Sequence, residues 1–443
     1  METGIVISLI LFFVGLTIGL PIGWAFLGSV FTGLAIFGDS AKFTAATFYQ
    51  SLNTEILCAI GFFILAGNLL SVSGLAKRIV SFSYLLVRKL KGGLIVVTVI
   101  ATVFMGALTG SSIPCLSAIG PIMVPELERY GYLRKYTTAI VCSSSFLGYL
   151  IPPSVPALIY CLVAQQSVAA LFLSTIFPGL ILAAGYIILN SFIVDKYMTG
   201  TVSAEMSTFE AELIKAGTAK TFWSALPALG CPATILVGMY GGFFTASEAG
   251  AIAVFYTLFV GKFIYKELSK KNLFSTVETT AKTLGMYTIL IAGGTVLSRY
   301  FMRYGVAQEF ATMAFTLFQS KVLILLSINI FLLILGMFLD GIPILLLAVP
   351  LLLPIAKELN VNLVHLGAMI IVNVGIGVIT PPFAVSIFFG SKICNVASTD
   401  IIPIMMKFLF LVAIPVLLLT TFIPALSCWL PTVMLGESVV GVY

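Results

Sequence analysis

Charged residues are scarce in this chain of 443 residues. Lysine, arginine, aspartate and glutamate together make up 9% of it, whereas a typical soluble domain has about 25%. Hydrophobic residues supply 60%, and the mean hydropathy is +1.14. A soluble globular protein is therefore excluded. The net charge of +6 is small and is spread over several short loops, so we expect no nucleic-acid partner.

Histidine and paired cysteine are also nearly missing. His365 is the single histidine, and the seven cysteines stand alone in apolar surroundings without a C-x-x-C pair. Histidine-dependent or metal-dependent chemistry is therefore not expected, and the cysteines are expected to act in packing. An intramembrane enzyme would need a catalytic pair or a metal-binding cluster, which these residues do not supply.

Long apolar runs are abundant instead. They recur from end to end and are long enough to cross about 30 Å of hydrocarbon, which predicts an all-α polytopic membrane protein. The first two, Ile5–Leu20 and Ile22–Phe37, are predicted to be antiparallel spans. No small-residue cleavage site follows the first run, so we expect the first helix to remain in the mature protein.

A pattern of prolines occurs twice. Pro114, Pro121, Pro125, Pro152 and Pro153 recur 229 residues later without a gap, as the differences 343−114, 350−121, 354−125, 381−152 and 382−153 show. Gly148 and Gly377 share this offset. Helices that break at the same points in two halves are typical of transporters built from structural repeats, in which unwound segments near mid-membrane form the binding site.

The apolar runs divide the chain accordingly. The first repeat is predicted at 1–194, with a re-entrant hairpin at about 52–75 and broken helices at about 93–163. A polar linker at 195–220 joins it to a second repeat at 221–432, with a hairpin at about 275–304 and broken helices at about 322–389, before a tail at 433–443. Five crossings and one hairpin per half would invert the second repeat in the membrane.

A basic stretch follows the first predicted hairpin. It contains Lys77, Arg78, Arg88, Lys89 and Lys91 and no acid. This composition predicts an interfacial helix on the cytoplasmic side.

The first break in the repeat reads Thr109-Gly110-Ser111-Ser112-Ile113-Pro114. Freed carbonyls and three hydroxyls favour a small hard cation, although a kink whose hydroxyls bind the local backbone is the alternative. The matching break contains Asp340-Gly341, and Asp340 replaces Ser111 at the offset of 229. An ionisable residue within a membrane indicates function. We expect sodium there; a protonated carboxyl and a water-facing position are the alternatives.

The second break carries a double proline in each half. Pro152 and Pro153, which precede Ser154, match Pro381 and Pro382, which follow Thr380. The N-terminus of the half-helix beyond each break suits a carboxylate, so these residues and Asn373 are predicted to bind substrate. Helix–helix packing is the alternative for the small polar residues.

These motifs, in this order, resemble the large membrane subunit of TRAP (tripartite ATP-independent periplasmic) transporters. The resemblance rests on eight segments along the chain: Phe62–Gly67, Thr109–Ser112, Ile119–Glu126, Gly131–Tyr132, Ile151–Ser154, Pro178–Gly179, Thr245–Ala249 and Thr380–Pro382. At the first predicted hairpin tip, Cys58–Gly61 departs from the family, which often has proline before the Phe-Phe pair.

The resemblance implies an elevator-type carrier of the ion-transporter superfamily in the bacterial inner membrane, driven by sodium. It implies a small four-helix membrane subunit and a periplasmic binding protein as partners, and C4-dicarboxylates or sialic acids as substrates. Sodium sites where hairpin tips meet broken helices carry over to Thr109, Gly110, Ser111, Ser112, Gly293, Asp340, Gly341 and Thr380.

Two alternatives to this function stay open. One is a related sodium/carboxylate carrier that works without a binding protein. The other is a channel, which would conduct without coupling and without saturation.

Overall fold

A computed structural model describes residues 3–87, 93–199, 215, 217–382 and 384–443. Within these ranges the chain is helical apart from turns and one isolated bridge between Tyr132 and Met198. Seven of the described helices are long and apolar enough to span a membrane, or eight if one bent pair forms a single span. The protein is therefore an all-α polytopic membrane protein, as predicted. Arg88, Lys89, Lys91 and most of the predicted linker lie outside the described residues.

Twelve described helices belong to the first half. They are α1 (Thr3–Thr17), α2 (Ile22–Phe37), α3 (Lys42–Leu52), α4 (Glu55–Val72), α5 (Leu75–Val87), α6 (Gly93–Thr109), α7 (Ser112–Arg129), α8 (Arg134–Ser145), α9 (Leu147–Leu150), α10 (Val155–Ala164), α11 (Val168–Ser174) and α12 (Ile176–Ile193).

Twelve more belong to the second half and the tail. They are α13 (Thr218–Tyr240), α14 (Ala246–Phe259), α15 (Lys270–Arg303), α16 (Val306–Leu317), α17 (Lys321–Phe338), α18 (Gly341–Glu358), α19 (Leu363–Gly377), α20 (Val385–Cys394), α21 (Ser398–Phe408), α22 (Ile414–Phe422), α23 (Ala425–Leu435) and α24 (Glu437–Val440).

The helix boundaries follow the offset found in the prolines. α7 and α18 correspond at both ends, since 341−112 and 358−129 both equal 229. The cis peptide bonds also correspond, at Pro152–Pro153 and Pro381–Pro382. The first half thus breaks between α6 and α10 at positions that match the breaks of the second half between α17 and α20.

The two predicted hairpins are wrong in position. The segment at about 52–75 contains α4, an uninterrupted helix, and the segment at about 275–304 lies within α15, a continuous helix of 34 residues. The glycines that suggested breaks serve close packing instead. A Cβ atom at Gly293 would lie 2.6 Å from the Gly23 carbonyl oxygen of α2, so this position lets two helices approach.

The chain turns back at the first breaks instead. α6 and α7 pack against each other on either side of Gly110–Ser111, and α17 contacts α18 across Leu339–Asp340. Placed end to end, each pair would extend about 50 Å, well beyond the hydrocarbon thickness. The first interrupted span predicted in each half is therefore a pair of helices with a turn at the break.

We name two sets of helices. We call α1–α5 and α13–α16 the frame helices, and α6–α12 with α17–α22 the core helices. Contacts between the halves are reciprocal: α4 packs on α14 as α2 packs on α15, and α10 packs on α18 as α7 packs on α20. A two-fold relation between the halves produces such reciprocity. The predicted antiparallel pair α1 and α2 is in contact, and the Asn362 side chain holds the tail by donating to the Val440 carbonyl at 2.7 Å.

Candidate functional site

The first turn is built on Gly110. Its φ is +60°, a left-handed conformation that L side chains adopt at a cost, and a Cβ atom there would clash with the Pro153 carbonyl oxygen. The Val155 amide donates to the Gly110 carbonyl oxygen at 3.0 Å. The α6–α7 turn is thus fixed to the start of α10, the half-helix that follows the double proline.

Glycine pairs bring the two breaks of each half into backbone contact. A Cβ atom at Gly148 would lie 2.7 Å from the Ser111 carbonyl oxygen, and one at Gly106 would lie 2.9 Å from the Gly148 Cα. In the second half, a Cβ atom at Gly336 would lie 2.6 Å from the Gly377 Cα. Only glycine permits such approaches, so each turn lies directly against its discontinuous helix.

The hydroxyls of the first turn have different environments. The Thr109 hydroxyl donates to the Ser111 carbonyl oxygen at 3.2 Å, as expected for a kink that satisfies its own backbone. Ser111 is extended and half-buried, whereas Ser112 is 2% exposed at the start of α7. Ser111 and Ser112 are therefore the hydroxyls of this turn that are left for a ligand.

Asp340 caps the start of α18 without using its side chain. Its backbone is extended, and its carboxylate makes no capping hydrogen bond. The Oδ1 atom is shielded from solvent and has no hydrogen-bond partner among the described residues. A buried carboxylate oxygen without a partner is costly, and a bound cation would remove that cost.

Tyr149 connects the two turns. A Cβ atom at Gly341 would lie 3.6 Å from the Tyr149 Cε2 and 3.8 Å from its hydroxyl oxygen. The preceding residue, Gly148, lies against the Ser111 carbonyl oxygen of the first-half turn. The two predicted cation turns, one from each half, thus both pack against Gly148–Tyr149. Sequence reasoning missed Tyr149, although its place directly after Gly148 in a break was a signal.

The double-proline breaks come directly before α10 and α20. Ser154 caps α10, because its hydroxyl accepts from the Ala157 amide at 3.3 Å, while the Thr380 hydroxyl donates back to the Ile376 carbonyl oxygen at 2.7 Å. Pro152 and Pro153 are buried, Pro381 is half-buried and Pro382 is exposed. The second break is thus the more accessible of the two.

Comparison with known proteins identifies the family. A model of the tripartite ATP-independent periplasmic transporter, DctM component, matches residues 9–426. The chain belongs to the DctM family. Several of its relatives are named as TRAP transporter permease proteins.

Three relatives of this DctM-family chain are named for three different substrates. The isethionate TRAP transporter permease protein of Oleidesulfovibrio alaskensis is 31% identical over 93% of the chain, which spans 63% of that protein's length. The sialic acid TRAP transporter permease protein of Haemophilus influenzae is 28% identical, with 98% of the chain and 69% of the relative covered. The C4-dicarboxylate TRAP transporter large permease protein of Pseudomonas aeruginosa is 31% identical, with 91% and 93% covered.

A solved structure shares the fold. The YdaH transporter of Alcanivorax borkumensis has a TM-score of 0.62 at 13% sequence identity, with 88% of each chain covered. At this identity the likeness concerns the fold alone.

In this DctM-family chain the Asn373 side chain is buried and is already hydrogen-bonded to a neighbouring helix. Its side-chain amide donates to the carbonyl oxygen of Asn329 at 3.0 Å and to its Oδ1 at 2.9 Å, and Asn329 donates to the Thr421 hydroxyl at 3.0 Å. The Asn373 Oδ1 atom is buried without a hydrogen-bond partner in the described ranges. This polar chain joins α19, α17 and α22, so one oxygen of Asn373 remains for a ligand.

Gly293 is separated from the other predicted sodium residues. It lies inside α15 against α2, away from a helix end, so its carbonyl belongs to regular helix. The prediction that Gly293 sits at a hairpin tip is wrong. Thr109–Ser112, Asp340, Gly341 and Thr380 all lie at breaks or directly beside them.

Proposed function

We propose that this chain carries an organic acid across the membrane together with sodium, by an elevator movement of the core helices against the frame helices. The single observation that supports this most is the packing of two matched helix turns against Gly148–Tyr149, with an unpartnered carboxylate oxygen of Asp340 in the second turn. Such unwound, paired segments form ion and substrate sites in secondary transporters.

The residues at the turns suit a small hard cation. Asp340 supplies a carboxylate, Ser111 and Ser112 supply hydroxyls, and Gly110, Gly341 and Thr380 supply oxygens at or beside the breaks. Oxygen ligands of this kind select hard cations over soft metals. The carboxylate would balance the ion's charge, which a buried site requires.

The starts of α10 and α20 suit an anionic substrate. Backbone N–H groups at a helix N-terminus and its partial positive charge favour a carboxylate. Ser154, the prolines at 152, 153, 381 and 382, and the free oxygen of Asn373 would line this region. A cation beside the substrate offsets its charge during the crossing.

The partners follow from the family. We propose a small four-helix membrane subunit and a periplasmic binding protein, acting in the bacterial inner membrane. The relatives are named for C4-dicarboxylates, sialic acid and isethionate, so the cargo class is a small organic acid.

Reconstituted vesicles test this proposal. The complex of the chain with its small subunit is placed in vesicles, and uptake of a radiolabelled organic acid is followed with a sodium gradient, a potassium gradient, and with or without binding protein. Uptake that needs sodium and binding protein is expected. Sodium-driven uptake without binding protein would favour the related carrier, and non-saturating flux without coupling would favour a channel.

A further inference from the structure

The half-helix α20 of the second half lies antiparallel along α8 of the first half. Arg134, the first residue of α8, donates through its Nε to the carbonyl oxygen of Cys394, the last residue of α20, at 2.8 Å. Nearer the start of α20, a Cβ atom at Gly390 would clash with the Cys142 Sγ, so the two helices approach closely there. The second-half helix is therefore supported along its length by the first half.

The start of α20 is tied at Ser386 in two directions. The Ser386 backbone N–H donates across the double-proline break to the Val378 carbonyl oxygen at 3.1 Å. The Ser386 hydroxyl oxygen accepts from the Ser145 hydroxyl of α8 at 3.2 Å. Ser145 is 0% exposed and Ser386 is 1% exposed, so water does not compete for this contact. We call this hydroxyl pair, Ser145 and Ser386, the serine clasp.

The serine clasp has no counterpart in the first half. At the offset of 229, Ser386 corresponds to Ala157 and Ser145 to Val374, since 386−157 and 374−145 both equal 229. The start of α10 is held instead by its backbone bond to the α6–α7 turn and by its own capping serine. Ala384, the residue before α20, makes no side-chain capping hydrogen bond. The serine clasp thus supplies a side-chain restraint that the first half obtains in another way.

We propose that the serine clasp positions the start of α20 for the substrate, so that Ser145 and Ser386 are positioning residues and not ligands. This inference rests on the proposed function, in which the helix starts after the double-proline breaks bind the anionic group of the substrate. Pro382 is exposed on the other side of the break, so packing restrains the helix start less there. A first turn that the clasp already holds in place needs no ordering when the substrate binds, which raises the affinity.

Ser386→Ala tests the clasp, and it leaves no unpaired donor because the Ser145 hydroxyl keeps the Cys142 carbonyl oxygen at 2.8 Å. The purified complex of the chain with its small subunit is titrated with succinate, sialic acid and isethionate at saturating sodium, and its thermal stabilisation is measured. The concentration of acid that gives half of the stabilisation is expected to rise about three- to tenfold, the effect of one net hydrogen bond. The unfolding temperature without acid and the maximal uptake rate in vesicles should stay close to wild type. A merely structural role would lower the unfolding temperature and leave the half-stabilising concentration unchanged.

Ser174→Ala is the matched control. Ser174 is 0% exposed on the core helix α11, and its hydroxyl donates within that helix to the Leu171 carbonyl oxygen at 2.7 Å. Its loss should leave the affinity for the acid at the wild-type value. Ser145→Ala should weaken the affinity as Ser386→Ala does, and the double variant should be no weaker than either, because both substitutions remove one contact.

The outcomes separate this inference from the proposed function. A wild type that an organic acid stabilises, with the same half-stabilising concentration in Ser386→Ala, would overturn the serine clasp and leave the proposed function standing. Effects of Ser145→Ala and Ser386→Ala that add fully would do the same. A wild type that neither binds nor takes up any of the three acids in the presence of sodium would overturn both.

Discussion

At Gly110 both the backbone conformation and the available space require glycine. Its φ of +60° and the Pro153 carbonyl oxygen beside it both disfavour a side chain. Gly110→Ala is expected to destabilise the protein by about 2 kcal/mol, because alanine is strained in the left-handed region and displaces α10. Thermal unfolding in detergent measures the effect.

Gly285→Ala serves as the control for this substitution. Gly285 lies inside α15 with ordinary helical backbone, and a Cβ atom there would meet nothing within 4 Å. The change should be neutral or stabilising by up to about 1 kcal/mol, the helix propensity difference. Equal unfolding temperatures for the two variants would contradict the strained turn.

Asp340 is the residue on which ion coupling is expected to depend. Asp340→Ala removes the carboxylate whose Oδ1 atom has no partner among the described residues, so sodium-dependent uptake should fall to background while expression and assembly with the small subunit persist. Vesicle uptake against sodium concentration is the measurement. Asp400→Ala, at an exposed position in the first turn of α21, should retain wild-type uptake. Wild-type sodium dependence in Asp340→Ala would refute the assignment.

Two reciprocal ion pairs fix the connections between frame helices. Arg78 of α5 pairs with Glu267, which precedes α15, and its guanidinium lies 4.4 Å from the centre of the Tyr265 ring. Arg303 at the end of α15 pairs at 3.1 Å with Asp39, which precedes α3. The Tyr304 hydroxyl also donates to Asp39. Each pair lies beside a glycine with positive φ, Gly74 or Gly305, and we call these two connections the joints. Each joint is followed by one further frame helix and then by a pair of core helices, so each ion pair restrains the approach to that pair.

Charge reversal at the first joint tests this role. Arg78→Glu should lower stability by about 1 kcal/mol, since the pair is only partly exposed and also loses the contact with Tyr265. Burial raises the pKa of Tyr265 to about 12, so its ring stays neutral at physiological pH and still repels the new carboxylate. Adding Glu267→Arg should restore part of the loss, measured as a thermal double-mutant cycle.

The exposed pair Glu278–Lys282 on α15 supplies the comparison. Both side chains are more than half exposed, so reversing both charges should leave the unfolding temperature unchanged. A joint pair that behaved like this exposed pair would contradict a restraining role for Arg78.

The two roles of glycine explain why the helix breaks were predicted correctly and the hairpins were not. Gly110 and Gly293 both interrupt apolar sequence, and both suggested a break. Gly110 bends the backbone, whereas Gly293 admits the Gly23 carbonyl oxygen into an unbroken helix. Local sequence is the same kind of signal in either case, and only the neighbouring helix decides between a turn and close packing. The hairpins were therefore placed in the wrong segments, while the breaks themselves were placed correctly.

At the scale of the whole molecule, an elevator requires the core helices to move past the frame helices. Gly294 of α15 and Leu346 of α18 lie across that boundary, with a Cβ atom at Gly294 2.7 Å from that of Leu346. Cysteines at both positions, with the exposed Cys58 changed to serine, should form a disulfide after a small local shift. We expect oxidation to stop uptake and reduction to restore it.

A cross-link inside the frame provides the control. Gly250 of α14 and Phe62 of α4 are equally close, with a Cβ atom at Gly250 2.9 Å from that of Phe62. Cysteines there should oxidise without loss of uptake, because both helices belong to the frame. Full uptake by the oxidised Gly294–Leu346 variant would argue against relative movement of the two groups.

The positions of the helix breaks are the part of the whole molecule that the sequence predicted best. Prolines and glycines restrict the backbone locally, so their spacing carries over directly into matched helix boundaries. The contact of Tyr149 with Gly341 depends instead on reciprocal packing between residues almost 200 positions apart. No local pattern encodes such a contact. The sequence therefore predicted the two turns of the site, but not the residue against which both turns pack.

The placement of the one carboxylate has an energetic consequence. If both turns carried the same side chains, the two end positions of a carrier with two-fold-related halves would have equal free energy and equal occupancy at rest. At the offset of 229, Asp340 and Tyr149 correspond to Ser111 and Val378, so the side chains of the two halves differ at these breaks. In the proposed elevator mechanism, an unloaded carrier is therefore expected to favour one orientation before any gradient acts on it, and its exchange and net-uptake modes should have unequal rates from the two sides.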